Sequence, residues 1–414
     1  HRAWLDDQFT RLVAFAVPSI RRGGGFEWLD VTGIPMPGRS PQLFLTARMT
    51  YVASLATVRG IPGSGALLDH GIASLLDYHA DAEHGGWISS PETDRGGRKM
   101  TYDHVHVGFA AANAVFAGHP QARELLGRVV DVVESRLWRE EERALVESYA
   151  GDWTDLEEYR GANSNMHGIE AFLAMGAALD DPTWFERARD MADRIVNRAT
   201  RQNGWLMPEH FTGDWEPDLG YNRAEPRHQF RPYGWTIGHA FEWSRLLLEI
   251  EAALGAAARG AAVPGAAVPG AAVPGWLVEA ARAMADAAFD AWAIDGTDGF
   301  VYTTGWEREV VEPSRLHWPL CEAIQAAAVL AARTGDPAYE QWYQRCWDHA
   351  ARYFIDPATA TWANELNADL VLAEDIWPGR ADFYHTVGAL LTPQAPIGPN
   401  LTAGLRHATE PTQP

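Results

Sequence analysis

Apolar residues recur along the chain at spacings of three and four in about a dozen segments, whereas strictly alternating stretches are few and short. This periodicity predicts a mainly helical protein, with helices beginning near Trp4, Gln42, Ser64, Thr101, Gln121, Asn165, Pro182, Trp235, Trp276, Leu316, Pro337 and Asp382. Two of these starts carry their own punctuation. Asp181-Pro182 and Asp336-Pro337 each place proline just after an Asp able to cap the free amides of a first turn.

Between alternate helices a short motif returns: glycine or another small residue, an aromatic, then a brief extended stretch. It reads Gly25-Phe26-Glu27-Trp28, Gly86-Trp87-Ile88-Ser89, Gly204-Trp205-Leu206-Met207, Gly299-Phe300-Val301-Tyr302 and Thr361-Trp362-Ala363-Asn364, with a weaker copy at Ala144-Leu145-Val146-Glu147. The copies at 26, 87, 145, 205, 300 and 362 are about 60 residues apart except for one step of 95. That long step contains Gly255 to Gly275, in which Gly-Ala-Ala-Val-Pro is repeated, and this low-complexity insert lies outside the repeating core. A period near 60 holds two helices and one connection, so six units make twelve helices. Neither end of the array has a polar capping unit, which favours a closed ring of six helical hairpins over an open solenoid. The expectation is an all-α toroid with short β-like connections at one end, forming one catalytic domain over 1–414 with a flexible tail after about residue 404.

Composition narrows the function. A net charge of −21 argues against nucleic acid, whose binders need a basic stripe to displace counterions. Only Cys321 and Cys346 are present, so neither a disulfide framework nor a cysteine-rich metal site is expected, and a reducing cytoplasm fits. The opening His1-Arg2-Ala3-Trp4-Leu5-Asp6-Asp7 has no long apolar run behind a basic start, so neither a signal peptide nor a membrane anchor is expected. Lys99 is the only lysine, and any Schiff-base chemistry would have to use it. It sits in a polar loop running into a helix, where a structural role is expected, and the spacing of a Walker loop is missing. The eighteen Trp residues suit a funnel in which flat rings stack on sugar C–H faces, although most are expected to be packing.

Three histidines lie at the same end of their hairpins. His239 follows Gly234-Trp235-Thr236-Ile237-Gly238 and stands three residues before Glu242, so on a helix the two share a face and the carboxylate can orient the imidazole. His385 follows Asp375-Ile376-Trp377-Pro378-Gly379-Arg380, and His167 follows Asn163-Ser164-Asn165-Met166. In a toroid that common end is the funnel, so the three converge. His104 and His106 are the only close histidine pair, but two residues apart on a helix they point in different directions, and no metal site or cofactor is expected. His119, His228 and His349 have no supporting context.

Taken together, these residues resemble the N-acylglucosamine 2-epimerase superfamily, and within it the mannose isomerase and sulfoquinovose isomerase branch. The resemblance runs from Arg48-Met49-Thr50-Tyr51 through Tyr102-Asp103-His104, Asn165-Met166-His167, Arg231-Pro232-Tyr233-Gly234, Gly238-His239-Ala240-Phe241-Glu242-Trp243 and Trp318-Pro319-Leu320-Cys321-Glu322 to Gly379-Arg380-Ala381-Asp382-Phe383-Tyr384-His385. It implies an (α/α)6 barrel, a reversible aldose–ketose conversion of mannose and fructose, and catalytic roles for His239 and His385. It also implies that Arg48, Tyr102, His167, Arg231, Glu242, Trp318, Glu322 and Trp377 line the sugar site. The Gly255 to Gly275 insert departs from the family pattern.

The implied chemistry is intelligible on its own terms. The sugar ring opens, the C2 proton leaves, an enediol is stabilised, and C1 receives a proton. Histidine suits both halves because its ordinary pKa of about 6.5 lets it take and return a proton near neutrality. Arg48 or Arg231 would stabilise the developing oxyanion. Rival readings keep the fold: a 2-epimerase returning the proton to C2, a sulfoquinovose isomerase, or a carbohydrate-binding or inverting-hydrolase toroid. The last needs two carboxylates about 6.5–9.5 Å apart across a scissile bond, and no motif nominates them. The expected partner is a monosaccharide; the sequence does not choose between monomer and homo-oligomer.

Overall fold

The computed structural model describes residues 1–259 and 273–409. The described helices are α1 (Arg2–Ala16), α2 (Leu43–Val58), α3 (Ser64–Ala73), α4 (Thr101–Phe116), α5 (Ala122–Val132), α6 (Ala162–Leu179) and α7 (Thr183–Ala192). They continue with α8 (Ile237–Ala258), α9 (Trp276–Phe289), α10 (His317–Thr334), α11 (Pro337–His349), α12 (Tyr384–Leu391) and α13 (Leu401–Thr409). The first twelve begin within three residues of the starts expected from periodicity.

Two kinds of helix alternate, and their burial explains why. On α2 every residue from Leu43 to Ala56 is buried, as expected for a helix surrounded on all sides. On α5 the buried residues are Ala122, Leu125, Leu126 and Val129, the single stripe of a helix with one wet face. The even-numbered helices α2 to α12 therefore form an inner ring in which each packs on the next and α12 returns to α2. Their odd-numbered partners form the outer layer. The ring is closed by the chain ends: α1, at the start, packs on both α12 and α2.

The recurring aromatic segments lace the rim. After an outer helix, the residue following the aromatic, or following Leu145 in the weaker copy, donates its N–H to the helix end, as in Ile88 to His79 O, Val146 to Leu137 O and Ala363 to Phe354 O. The segment then accepts from the first turn of the preceding inner helix: Leu43 N to Ser89 O (2.9 Å), Thr101 N to Glu147 O (2.9 Å), Ala162 N to Glu209 O (2.9 Å) and His317 N to Asn364 O (3.0 Å). Thr236 pairs with Thr303, and Leu29 with Arg380, at the equivalent places. These bonds satisfy amides that a helix start leaves unpaired, and they fix six inner-helix N-termini around one opening.

At the opposite end the C-terminal segment closes the hole. Asn113 Oδ1 accepts from Asn400 Nδ2 (2.9 Å) and Thr402 Oγ1 (2.6 Å), and α13 packs on α2 and α4. The chain is thus helical through residue 409, while the rest of the expected tail, 410–414, lies outside the described residues. So does most of the Gly255 to Gly275 insert, residues 260–272, which falls between α8 and α9 in the chain. Lys99 is buried and structural, with Nζ 2.6 Å from Asp81 Oδ2 and 3.2 Å from Trp87 O. Among the described residues no helix is long and apolar enough to cross a membrane.

Candidate active site

At the open end, the first turns of the inner helices aim their side chains at one another. Helix α8 contributes His239 and, one turn deeper, Glu242; α12 contributes His385; α6, His167; α2, Arg48; α4, Tyr102; and α10, Trp318. All of these, with Trp377, border one cavity, so the three histidines do converge. Eight of the ten residues picked out from the sequence meet there. Glu322 lies beneath the floor, bonded to His385. Arg231 sits on the wall of a neighbouring cavity of about 440 Å3 that shares Tyr102, Asn163 and Phe230 with the first.

The two imidazoles expected to do the chemistry are held alike. His385 Nδ1 lies 2.8 Å from Glu322 Oε1, and His239 Nδ1 lies 2.9 and 3.0 Å from the two oxygens of Glu209. A carboxylate facing Nδ1 keeps the hydrogen on that nitrogen and leaves the Nε2 lone pair to act. The Trp318 ring lies between them, with centroids 5.0 Å from His239 and 5.6 Å from His385. Gly238 makes room for it, since a Cβ there would stand 2.4 Å from the indole. Burial, reinforced by the Arg48 charge, pushes His385 well below its ordinary value and keeps it neutral.

This corrects the expectation that Glu242 orients His239. Three residues along α8 share a face but are about 4.5 Å apart along the axis, so Glu242 lies deeper, 3.8 Å from His167 Nδ1 and 3.7 Å from Arg245. The orienting carboxylate, Glu209, comes instead from the connection before α8. Both Glu242 oxygens are buried without a hydrogen-bond donor within reach, although the residue borders the cavity. Burial, with Glu322 close by, raises its pKa well above the usual range.

Arg48 is positioned from three sides: Nε donates to His106 Nε2 (3.1 Å), Nη2 to Tyr102 OH (2.8 Å), and Nη1 reaches Asp382 (3.4 Å). Arg231 is held by Glu157 (2.8 Å) and Glu147 (3.2 Å), so of the two arginines only Arg48 borders the central cavity. His104 and His106 diverge as their spacing requires. His104 accepts from Trp87 N, and His106 packs against His167 with ring centroids 4.5 Å apart.

Several cavity residues escaped the sequence reading, among them Asp382, His317, Tyr302 and Asn364, as did Glu209 behind His239. A signal for two of them was present. Tyr302 and Asn364 each stand two residues after the repeated aromatic, as does Ser89 in the neighbouring cavity, and Glu147 stands two after Leu145, which takes the aromatic's place in the weaker copy. The rim lacing turns that position inward.

Fold and site together define a helical toroid whose funnel holds paired, carboxylate-backed imidazoles over a floor of polar groups with aromatic walls. The chain belongs to the N-acylglucosamine 2-epimerase family, whose pattern matches residues 24–389. It is 44% identical over 410 residues to D-mannose isomerase of Thermobifida fusca, covering 98% of this chain and 97% of that one. Identity to D-mannose isomerase of Pseudomonas cannabina pv. alisalensis is also 44%, over 98% of this chain and 95% of the relative. A crystal structure of D-mannose isomerase superposes with a TM-score of 0.84 at 24% identity, over 95% of this chain and 98% of that one, and shows the same (α/α)6 fold.

Proposed function

We propose that the chain is an aldose–ketose isomerase interconverting mannose and fructose by proton transfer through a cis-enediolate, with the ring acting as one catalytic domain and the 255–275 insert peripheral to it. The observation that carries this reading is the pair His239 and His385, bordering one cavity with each Nδ1 tied to a buried carboxylate. The 44% identity to D-mannose isomerases over nearly the whole chain supports the choice of sugar.

His239 moves the proton between O1 and O5 that opens the ring. In the open chain, Nε2 of His385 takes the proton from C2, and the C2–H electrons form the C1–C2 double bond as O1 becomes an oxyanion beside Arg48. The O2 proton then passes to O1, an O2 lone pair forms the C2 carbonyl, and the C1–C2 π pair takes the proton that His385 delivers to C1. Glu242 and His167 take up sugar hydroxyls from below, and Trp318 and Trp377 wall the carbon skeleton. A neutral imidazole is the form this needs, and burial keeps His385 in it.

Incubation with mannose in deuterated water, followed by NMR, tests the reading. Fructose carrying deuterium at C1 is expected, undiminished by chelators. Glucose as the product would make the enzyme a 2-epimerase, and no exchange at C2 would favour a binding or hydrolytic toroid. His385→Ala should abolish C2 exchange, and either His→Ala variant should lose about 100- to 10,000-fold in turnover. Wild-type turnover in a folded His385→Ala protein would remove the shuttle role.

A further inference from the structure

The proposed reaction uses Glu242 and His167 only to hold hydroxyls, yet their geometry is that of a different ligand. His167 Nδ1 lies 3.7 Å from Glu170 Oε2 and 3.8 Å from Glu242 Oε1, and one ligand atom from each of the three residues lies within 4.8 Å of the others. A point central to such a triangle is about 2.2–2.4 Å from every corner, close to the ~2.0–2.2 Å that zinc keeps from imidazole nitrogen and carboxylate oxygen. We propose that His167, Glu170 and Glu242 form a seat for one divalent transition ion of the zinc class, which shuts the enzyme off by occupying the floor of the sugar cavity.

Two independent observations support the seat. First, His167 Nδ1 and both Glu242 oxygens have no hydrogen-bond partner, although the residues are only 4% and 1% exposed. Buried polar atoms are nearly always paired, and of these His167 Nδ1 and Glu242 Oε1 lie 3.8 Å apart. Second, the charge around it is unbalanced. Glu170, Glu242, Glu249 and Glu322 all surround the single guanidinium of Arg245, and Arg48 nearby is engaged by Asp382. A dication offsets that surplus in a medium where charges are weakly screened.

The outer contacts are those of a metal centre as well. Tyr384 OH donates to Glu170, orienting the carboxylate. One His and two carboxylates leave a fourth tetrahedral position, and because Glu242 and His167 border the cavity, that position opens to it. The ion is an inhibitor here, since it takes the atoms that receive the sugar hydroxyls; only this inhibition rests on the proposed function, and the seat itself does not.

Calorimetric titration of the metal-free protein with Zn2+, without sugar, tests the seat directly, and Co2+ absorption in the visible range reports tetrahedral nitrogen–oxygen coordination. One ion per chain is expected. His167→Gln and Glu170→Gln, checked for folding by circular dichroism, should each weaken binding at least 10-fold, while His84→Gln on the surface leaves it unchanged. Zn2+ should lower mannose turnover competitively, with recovery on adding EDTA. Absence of 1:1 binding, or binding unaffected by His167→Gln in a folded protein, would overturn the proposal. So would binding lost in His385→Ala but kept in His167→Gln, which would move the ion to the Glu242–Glu322–His385 side. If Zn2+ binds as expected but no isomerase activity is found, the seat stands and the functional reading falls.

Discussion

Glu209→Gln removes the charge behind His239 while keeping the size of the side chain. In the native protein both Glu209 oxygens lie within 3.0 Å of His239 Nδ1, and the residue is 4% exposed, so water does not replace the lost partner. A hydrogen bond to a charged group contributes about 1.5–3 kcal/mol. The imidazolium formed when His239 takes a proton would lose roughly that much stabilisation, and at about 1.4 kcal/mol per tenfold the rate should fall about 10- to 150-fold. Glu209 does not border the cavity, so the loss should fall on kcat with KM nearly unchanged. Glu242→Gln makes the contrast. Its carboxylate borders the cavity and touches neither catalytic imidazole through a hydrogen bond, so a rise in KM should accompany its loss. Steady-state conversion of mannose to fructose, with circular dichroism to verify folding, separates the two. Wild-type kcat in a folded Glu209→Gln protein would refute the claim that the carboxylate supports His239 as an acid–base group.

Gly238→Ala should cost about 1–3 kcal/mol and a large part of the activity, because the new Cβ would stand 2.4 Å from the Trp318 ring and must displace it from both histidines; a denaturant melt and an assay check this, and an unchanged variant would show that the ring has room to move. His79 is buried between Thr46 and Ile88 O, and burial pushes its pKa down to about 4 from 6.5. Its folded form resists protonation, so its stabilisation is complete above about pH 6.5 and is lost as pH falls toward 4; the deficit of His79→Gln in urea unfolding should therefore shrink by about 3 kcal/mol between pH 7 and pH 4. A pH-independent deficit would contradict the assigned burial. Replacing residues 260–272 by a short Gly-Ser bridge should change the melting temperature by a few degrees at most and leave turnover intact, since loop-closure entropy grows slowly with length and α8 and α9 meet at the end away from the cavity; a large drop would show that the insert packs on the ring.

Helix positions, the six-hairpin period and the histidines at helix starts were legible in the linear chain because each depends on local rules. A 3.6-residue period marks a helix whatever it packs against, and the repeated aromatic marks each return to the rim. His167, His239 and His385 follow polar or Gly-rich turns at helix starts, and knowing that the hairpins close into a ring is enough to bring them together. Partner choice was not legible. Glu242, three residues from His239 on the same helix, was the obvious carboxylate, but a helix separates such neighbours along its axis, and the space beside His239 Nδ1 is filled by Glu209, thirty residues earlier. Arg231 carried the same chemical promise as Arg48, and only the tertiary arrangement gave one of them to the cavity and the other to Glu147 and Glu157. The sequence favoured a closed ring, but that α1 closes it on α12, from opposite ends of the chain, was set by the packing. Periodicity and turn chemistry act between residues a few positions apart, whereas the identity of an ion-pair partner depends on which connections the packed helices bring face to face.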